Sequence, residues 1–99
     1  MKEFNKDLIL LPQTVVHCKT EEEAYELLKW ADSIGLRWGS GESYLDKNNY
    51  YIYKENTCYN LYNGCYCYLS YYKKDNCNIL LFNEVVISSQ LKLLAKDIK

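Results

Sequence analysis

Five cysteines and one histidine are the side chains of this 99-residue sequence best equipped for chemistry. A thiol nucleophile needs a base within hydrogen-bond reach and usually a third group to orient that base. Nothing in the spacing brings His17 to Cys58 or Cys65. It directly precedes Cys18, so strand alternation points the two to opposite faces. Zinc asks for four ligands, commonly in pairs two to four residues apart. Only one residue separates Cys65 from Cys67, and Cys18, Cys58 and Cys77 are scattered. The expectation is no metal ligand and no cofactor, with reduced cysteines buried as small hydrophobes. No serine sits in a nucleophile elbow and no glycine-rich phosphate loop occurs. Gly39-Ser40-Gly41 is too short for one, and Glu42 and Asp46 beyond it are a weak pair of acids. No catalytic residue is assigned and the chain reads as a non-enzyme. A small thiol- or carboxylate-dependent enzyme is kept as an alternative.

Recognition is better served. Nine of the eleven tyrosines fall between Tyr50 and Tyr72. Tyrosine combines a large, stiff contact surface with a polar tip. These tyrosines alternate with other residues around Asn63-Gly64, which predicts strands 57–62 and 65–72 joined by a two-residue type I′ turn. That register sets Tyr62 opposite Cys65 and Tyr59 opposite Tyr68. One face then carries Cys58, Asn60, Tyr62, Cys65, Cys67, Leu69 and Tyr71, and the other Tyr59, Leu61, Tyr66, Tyr68, Ser70 and Tyr72. The expected binding residues are Tyr59, Tyr66, Tyr68 and Tyr72, with Arg37 and Trp38 as residue types common at interface hot spots. The same rings also stabilise sheets by cross-strand pairing, and Trp38 can equally pack over the end of the first helix.

The elements that must position these groups follow from local pattern. Thr14 to Cys18 is β-branched and apolar enough for a strand. Thr20 and Glu23 form a capping box, apolar residues recur at three- and four-residue steps, and Gly35 stops the run, predicting helix 21–34. Leu36 to Trp38 and Tyr50 to Tyr53 read as short strands. The unbroken apolar run Asn78 to Phe82 reads as a central strand. Ser88 or Ser89 can cap a short C-terminal helix with Leu91, Leu94, Ala95 and Ile98 as its stripe. The fold class is α+β: one domain, 1–99, with an antiparallel sheet of about five strands and the capped helix on one face. The thiol face is expected to meet helix 21–34, leaving the tyrosine face outward.

A net charge of −1 is a poor footprint for non-specific DNA binding, which depends on cations neutralising phosphates. The apolar run Leu8 to Leu11 ends at Pro12 and is too short for a secretory leader or a membrane span. The reading is a cytoplasmic protein with no membrane partner. A chain this short builds a shallow groove, or a site shared across a homodimer, more readily than a deep cavity.

The string Val16-His17-Cys18-Lys19-Thr20-Glu21-Glu22-Glu23-Ala24, then Leu27-Leu28-Lys29-Trp30, then Gly35-Leu36-Arg37-Trp38-Gly39-Ser40-Gly41 resembles small uncharacterised proteins of phages and prophages of low-GC Gram-positive bacteria. Thr57-Cys58-Tyr59 and Phe82-Asn83-Glu84-Val85 share the likeness, which covers residues 14 to 86. Its motifs are structural and carry over no site residue. What the resemblance implies is a non-enzymatic counter-defence protein that binds and inhibits a bacterial immune effector such as a nuclease, in the manner of anti-CRISPR proteins. Its alternative is a sponge that sequesters a cyclic-nucleotide or ADP-ribose-type signal. Burial of the tyrosine face in a homodimer is a third reading.

Overall fold

The computed structural model describes residues 2–87. The predicted C-terminal helix lies outside them.

The first helical signal is realised closely. Strand β2 spans Thr14–His17 and helix α2 spans Glu21–Ser33. Thr20 Oγ1 accepts from the Glu23 amide at 3.1 Å, and the Glu23 carboxylate accepts from the Lys19 amide at 2.8 Å. Gly35, at φ 92°, closes the helix: the Leu36 amide donates to Ala31 and the Gly35 amide to Asp32, the paired bonds of a Schellman cap. Thr20→Ala removes the side-chain acceptor and is expected to cost about 1 kcal/mol, read as a lower urea midpoint at unchanged slope.

Ahead of β2, residues 1–7 read in sequence as a polar lead-in, yet strand β1 (Glu3–Phe4) and the start of helix α1 (Lys6–Ile9) fall within them. Phe4 is the cause: its ring packs against Trp30 and Phe82 at centroid distances of 5.3 and 5.5 Å. Beyond α2 come helix α3 (Tyr50–Tyr53), a 3-10 turn (Lys54–Asn56), and strands β3 (Thr57–Asn60) and β4 (Cys65–Tyr68). Helix α4 (Leu69–Lys74), strand β5 (Asn78–Leu81), helix α5 (Phe82–Val85) and strand β6 (Val86–Ile87) follow.

The class is α+β, as expected, but the sheet differs. Four strands run in the order β4-β3-β2-β5, and β1 pairs with β6 in a separate two-stranded sheet. The main sheet is mixed, because β5 lies parallel to β2. From β4 at one edge the chain passes through α4 and enters β5 at the other edge, the kind of crossover a parallel neighbour requires. Reading 65–72 as one strand conceals that helix. Asn78 to Leu81 is accordingly an edge strand, and the central, two-sided positions belong to β2 and β3, all eight of whose residues are buried.

Two further strand expectations fail. Leu36 to Trp38 has no regular structure. Tyr50 to Tyr53 is a helical turn, because the Asn48 side chain accepts from the Tyr50 amide at 2.9 Å and Asn49 takes a left-handed conformation at φ 59°. These local bonds start a turn rather than a strand.

The hairpin register slips by two residues. Asn60 pairs with Cys65, Tyr59 with Tyr66, Cys58 with Cys67 and Thr57 with Tyr68. The connection is the four-residue loop Leu61 to Gly64. A type I′ turn needs positive φ at both central residues, and only Gly64, at φ 72°, has it. The Asn60 carboxamide oxygen instead holds the Asn63 amide at 3.0 Å, and the Asn60 carbonyl holds the Gly64 amide at 2.8 Å. A slip of two leaves every side chain on its original face, so the tyrosine and thiol faces of the hairpin persist.

Which face is hidden is the main correction. Tyr59, Leu61 and Val16 join Ala24, Leu27, Leu28 and Ala31 in the larger core cluster beneath α2. The thiol face lies on the other side of the sheet, where Val15, Cys58 and Tyr72 form a second cluster flanked by Cys67, Leu69, Cys77 and Ile79. Both faces are covered, one by α2 and the other by α4.

Candidate functional site

β4 is an edge strand, and among the described residues no strand lies beyond it. A strand edge is one kind of element to which a partner strand can add. Rings supply a second feature here. Trp38 packs on Tyr66 at 5.6 Å, Tyr66 on Tyr53 at 5.9 Å, and Tyr53 on Tyr68 at 5.3 Å. Tyr68 meets Tyr71 at 6.1 Å, and Tyr71 meets Tyr72 at 5.4 Å. Contacts along this run are tilted or edge-to-face, the favourable geometries for aromatic pairs. The run leaves the core at Trp38, follows β4, and turns around its end to Tyr72 on the opposite face.

The exposed part of the run lies at its far end. Tyr51, Tyr68 and Tyr71 keep 63%, 40% and 47% of their surface accessible, and Ile52 lies beside them. An open groove of about 430 Å³ lies among Ile52, Tyr53, Asn56, Tyr68, Leu69, Ser70 and Lys73. Lys73 is the charged residue in that lining. The lining mixes Ile52, Leu69 and two tyrosine rings with the polar Asn56, Ser70 and Lys73, so it offers apolar contact, hydrogen bonds and one positive charge.

The six expected binding residues separate into two groups. Tyr68 is exposed and Tyr66 half-buried, both on β4. Burial raises the Tyr66 phenol pKa, with Tyr53 and Tyr51 adding to it, so the hydroxyl stays protonated. Tyr59 is fully buried, and its hydroxyl donates to the Asn48 carbonyl at 2.7 Å. Tyr72 is buried on the thiol side because it belongs to α4 rather than to an extended β4. Burial, with Cys65 beside it, drives its phenol pKa well up. Trp38 is buried too, its indole donating to the Lys47 carbonyl at 2.8 Å, so packing is its role. Arg37 is exposed but turns back toward the end of α2, reaching the Asp32 carboxylate at 3.0 Å and the Leu36 carbonyl at 2.7 Å. Tyr59, Tyr72 and Trp38 therefore offer no surface to a partner, and Arg37 is not in the groove lining.

Tyr53, Tyr71, Tyr51 and Ile52 replace them at the surface. A signal for Tyr71 and Tyr72 was present: Leu69 and Tyr72 are three residues apart, Lys73-Lys74 suits a last helical turn, and Asn76 suits a left-handed cap. The structure has that cap, with Asn76 at φ 56°, its amide donating to Lys73, and the Cys77 amide donating to Tyr72.

The five cysteines are free thiols. Cys18 lies in the core under α2, and Cys58, Cys65, Cys67 and Cys77 gather on the α4 side. Burial pushes the Cys58 thiol pKa up to about 12, with Cys67 and Cys77 adding to the shift. His17 Nε2 lies 2.7 Å from the Glu55 carbonyl oxygen. Contrary to the sequence reading, the fold does bring His17 to a thiol: it is the register partner of Cys58 across the β2–β3 ladder, and the Glu55 carbonyl engages its Nε2. Among the described residues no helix is long and apolar enough to cross a membrane. The chain matches no protein-family model, no curated protein and no solved structure.

Proposed function

We propose that this chain is a non-enzymatic phage counter-defence protein that binds a bacterial immune effector and inhibits it by stoichiometric capture. The observation that carries the capture is the exposed aromatic surface along the edge strand β4, where Tyr68 meets Tyr71 and shares a groove with Ile52. Tyrosine anchors beside an open strand edge combine apolar contact with main-chain pairing. The counter-defence context rests on the resemblance carried by residues 14 to 86.

The test is phage plating on bacteria that carry a defence system and express this chain. Wild-type protein is expected to restore plating. The double change Tyr68→Ala and Tyr71→Ala is expected to cost about 2 kcal/mol or more of partner binding, some thirtyfold in affinity, and to abolish protection at unchanged protein level. Protection that survives the double change removes the aromatic edge from the account.

The groove beside Lys73 favours a second reading, capture of a cyclic-nucleotide or ADP-ribose-type signal. Tyr53 and Tyr68 give it stacking surface and Lys73 a cation for a phosphate. A thermal-shift screen with cyclic dinucleotides, cyclic trinucleotides and ADP-ribose derivatives separates the two, since a ligand binding only the folded state raises the midpoint.

A further inference from the structure

We propose that Cys58 and Cys67 form a redox modification site, a cross-strand pair that a peroxide converts into a disulfide tying the edge strand β4 to β3. The two are register partners in the β3–β4 ladder. Directly opposed residues of an antiparallel pair have Cα atoms roughly 4.5–5.5 Å apart, inside the roughly 4.4–6.8 Å that a disulfide spans. Opposed residues also point to the same side of the sheet, here the side covered by α4. The register therefore sets the two side chains side by side, which is the placement a cross-strand disulfide requires.

Access differs between the two, and that orders the chemistry. Cys67 is half-buried in the wall of a groove of about 310 Å³ that also holds Cys65, Cys77, Tyr72 and Asp75. Cys58 is fully buried and registers opposite Cys67. Peroxide entering the groove oxidises the Cys67 thiolate to a sulfenic acid, one peroxide oxygen going to sulfur and the other leaving as hydroxide, which takes up a proton to become water. The Cys58 sulfur then attacks the Cys67 sulfur. The S–O bond breaks, and the departing hydroxyl takes the Cys58 proton as a second water. Two thiols lose two electrons and one peroxide is reduced. The small thiolate fraction of Cys58 slows the second step, but its position opposite Cys67 makes that step intramolecular.

The other thiols are worse placed. Cys65 and Cys67 alternate along one strand, so their Cα atoms lie about 6.4–6.8 Å apart and their side chains run parallel rather than converging. The Cys65 sulfur sits 3.8 Å from the Tyr72 hydroxyl, and the Cys77 sulfur 3.8 Å from the Asp75 carboxylate, which disfavours its thiolate. Cys18 is on the far side of the sheet. The bond would brace the strand that presents Tyr66 and Tyr68, and the chemistry stands whether or not that edge captures a partner.

The test uses the full chain, reduced and then exposed to equimolar hydrogen peroxide, with non-reducing peptide mass mapping and thermal melts. The expected result is a 58–67 linkage with the loss of two hydrogens. The melting midpoint should rise by about 5 °C or more and fall back with dithiothreitol. Cys67→Ala, at a half-buried site that tolerates truncation, should remove both linkage and rise, whereas Cys65→Ala and Cys77→Ala should keep them. A linkage mapped to Cys65 and Cys77, a rise that survives Cys67→Ala, or oxidation confined to sulfinic and sulfonic acids on Cys65 would each overturn the proposal.

Discussion

Tyr59→Ala is expected to unfold most of the population rather than to weaken a binding surface. The ring is fully buried beneath α2, contacts Trp38 at 6.1 Å, and its hydroxyl donates to Asn48 at 2.7 Å. Truncating a buried aromatic costs about 3–5 kcal/mol, and the lost hydrogen bond about one more. A domain of this length has a total stability of about 5–15 kcal/mol, so at the lower end of that range the change removes nearly all of it. Tyr59→Phe keeps the ring and isolates the hydroxyl, with an expected cost of about 1 kcal/mol. Tyr68→Ala, at the exposed end of the same face, should change the urea midpoint very little. Equal midpoints for Tyr59→Ala and Tyr68→Ala would contradict the burial of this face.

Gly64→Ala has the next largest expected effect, through two independent causes. Gly64 has φ 72°, where a side chain costs about 1–2 kcal/mol. A β-carbon there would also stand 2.6 Å from the Gly39 nitrogen and 2.8 Å from the Arg37 carbonyl oxygen. Both are backbone atoms and cannot rotate aside. The Gly39 amide donates to the Gly64 carbonyl at 2.8 Å, so the hairpin loop and the Trp38–Gly41 turn are clasped where the methyl group would intrude. Overpacking adds roughly 1–3 kcal/mol, for a total of about 2–5 kcal/mol and a midpoint lowered by roughly 10 °C or more. Gly35→Ala is the control. It has φ 92° but open space around the new atom, so only the backbone penalty of about 1–2 kcal/mol applies. If the two melts fall equally, the clasp contributes nothing.

The candidate site was half legible for a related reason. Tyr66 and Tyr68 are on the edge strand, and they were marked by alternation alone. Tyr72 was misplaced because a six-residue helix leaves a faint periodic trace that a run of strand-forming tyrosines masks. Tyr59 reads as surface once the thiol face is set against the helix, and Trp38 reads both as a hot-spot type and, more readily, as packing over the helix end; tyrosine and tryptophan suit cores when the polar tip finds a carbonyl. Asn48 and Lys47 supply those carbonyls from a loop 11 and 9 residues away in sequence. No local pattern announces such partners.

What the sequence determined by itself was local. Thr20 and Glu23 set the start of α2 and Gly35 its end, because caps are bonds between near neighbours. Alternation sorted rings from thiols along 57–68, because successive side chains on a strand point oppositely whatever covers them. Tertiary structure decided the rest. It chose which side α2 covers, sent α4 to the other, and laid β5 parallel at the far edge. Those outcomes depend on the fit of distant surfaces, and a hairpin with two apolar faces can offer either one to a helix.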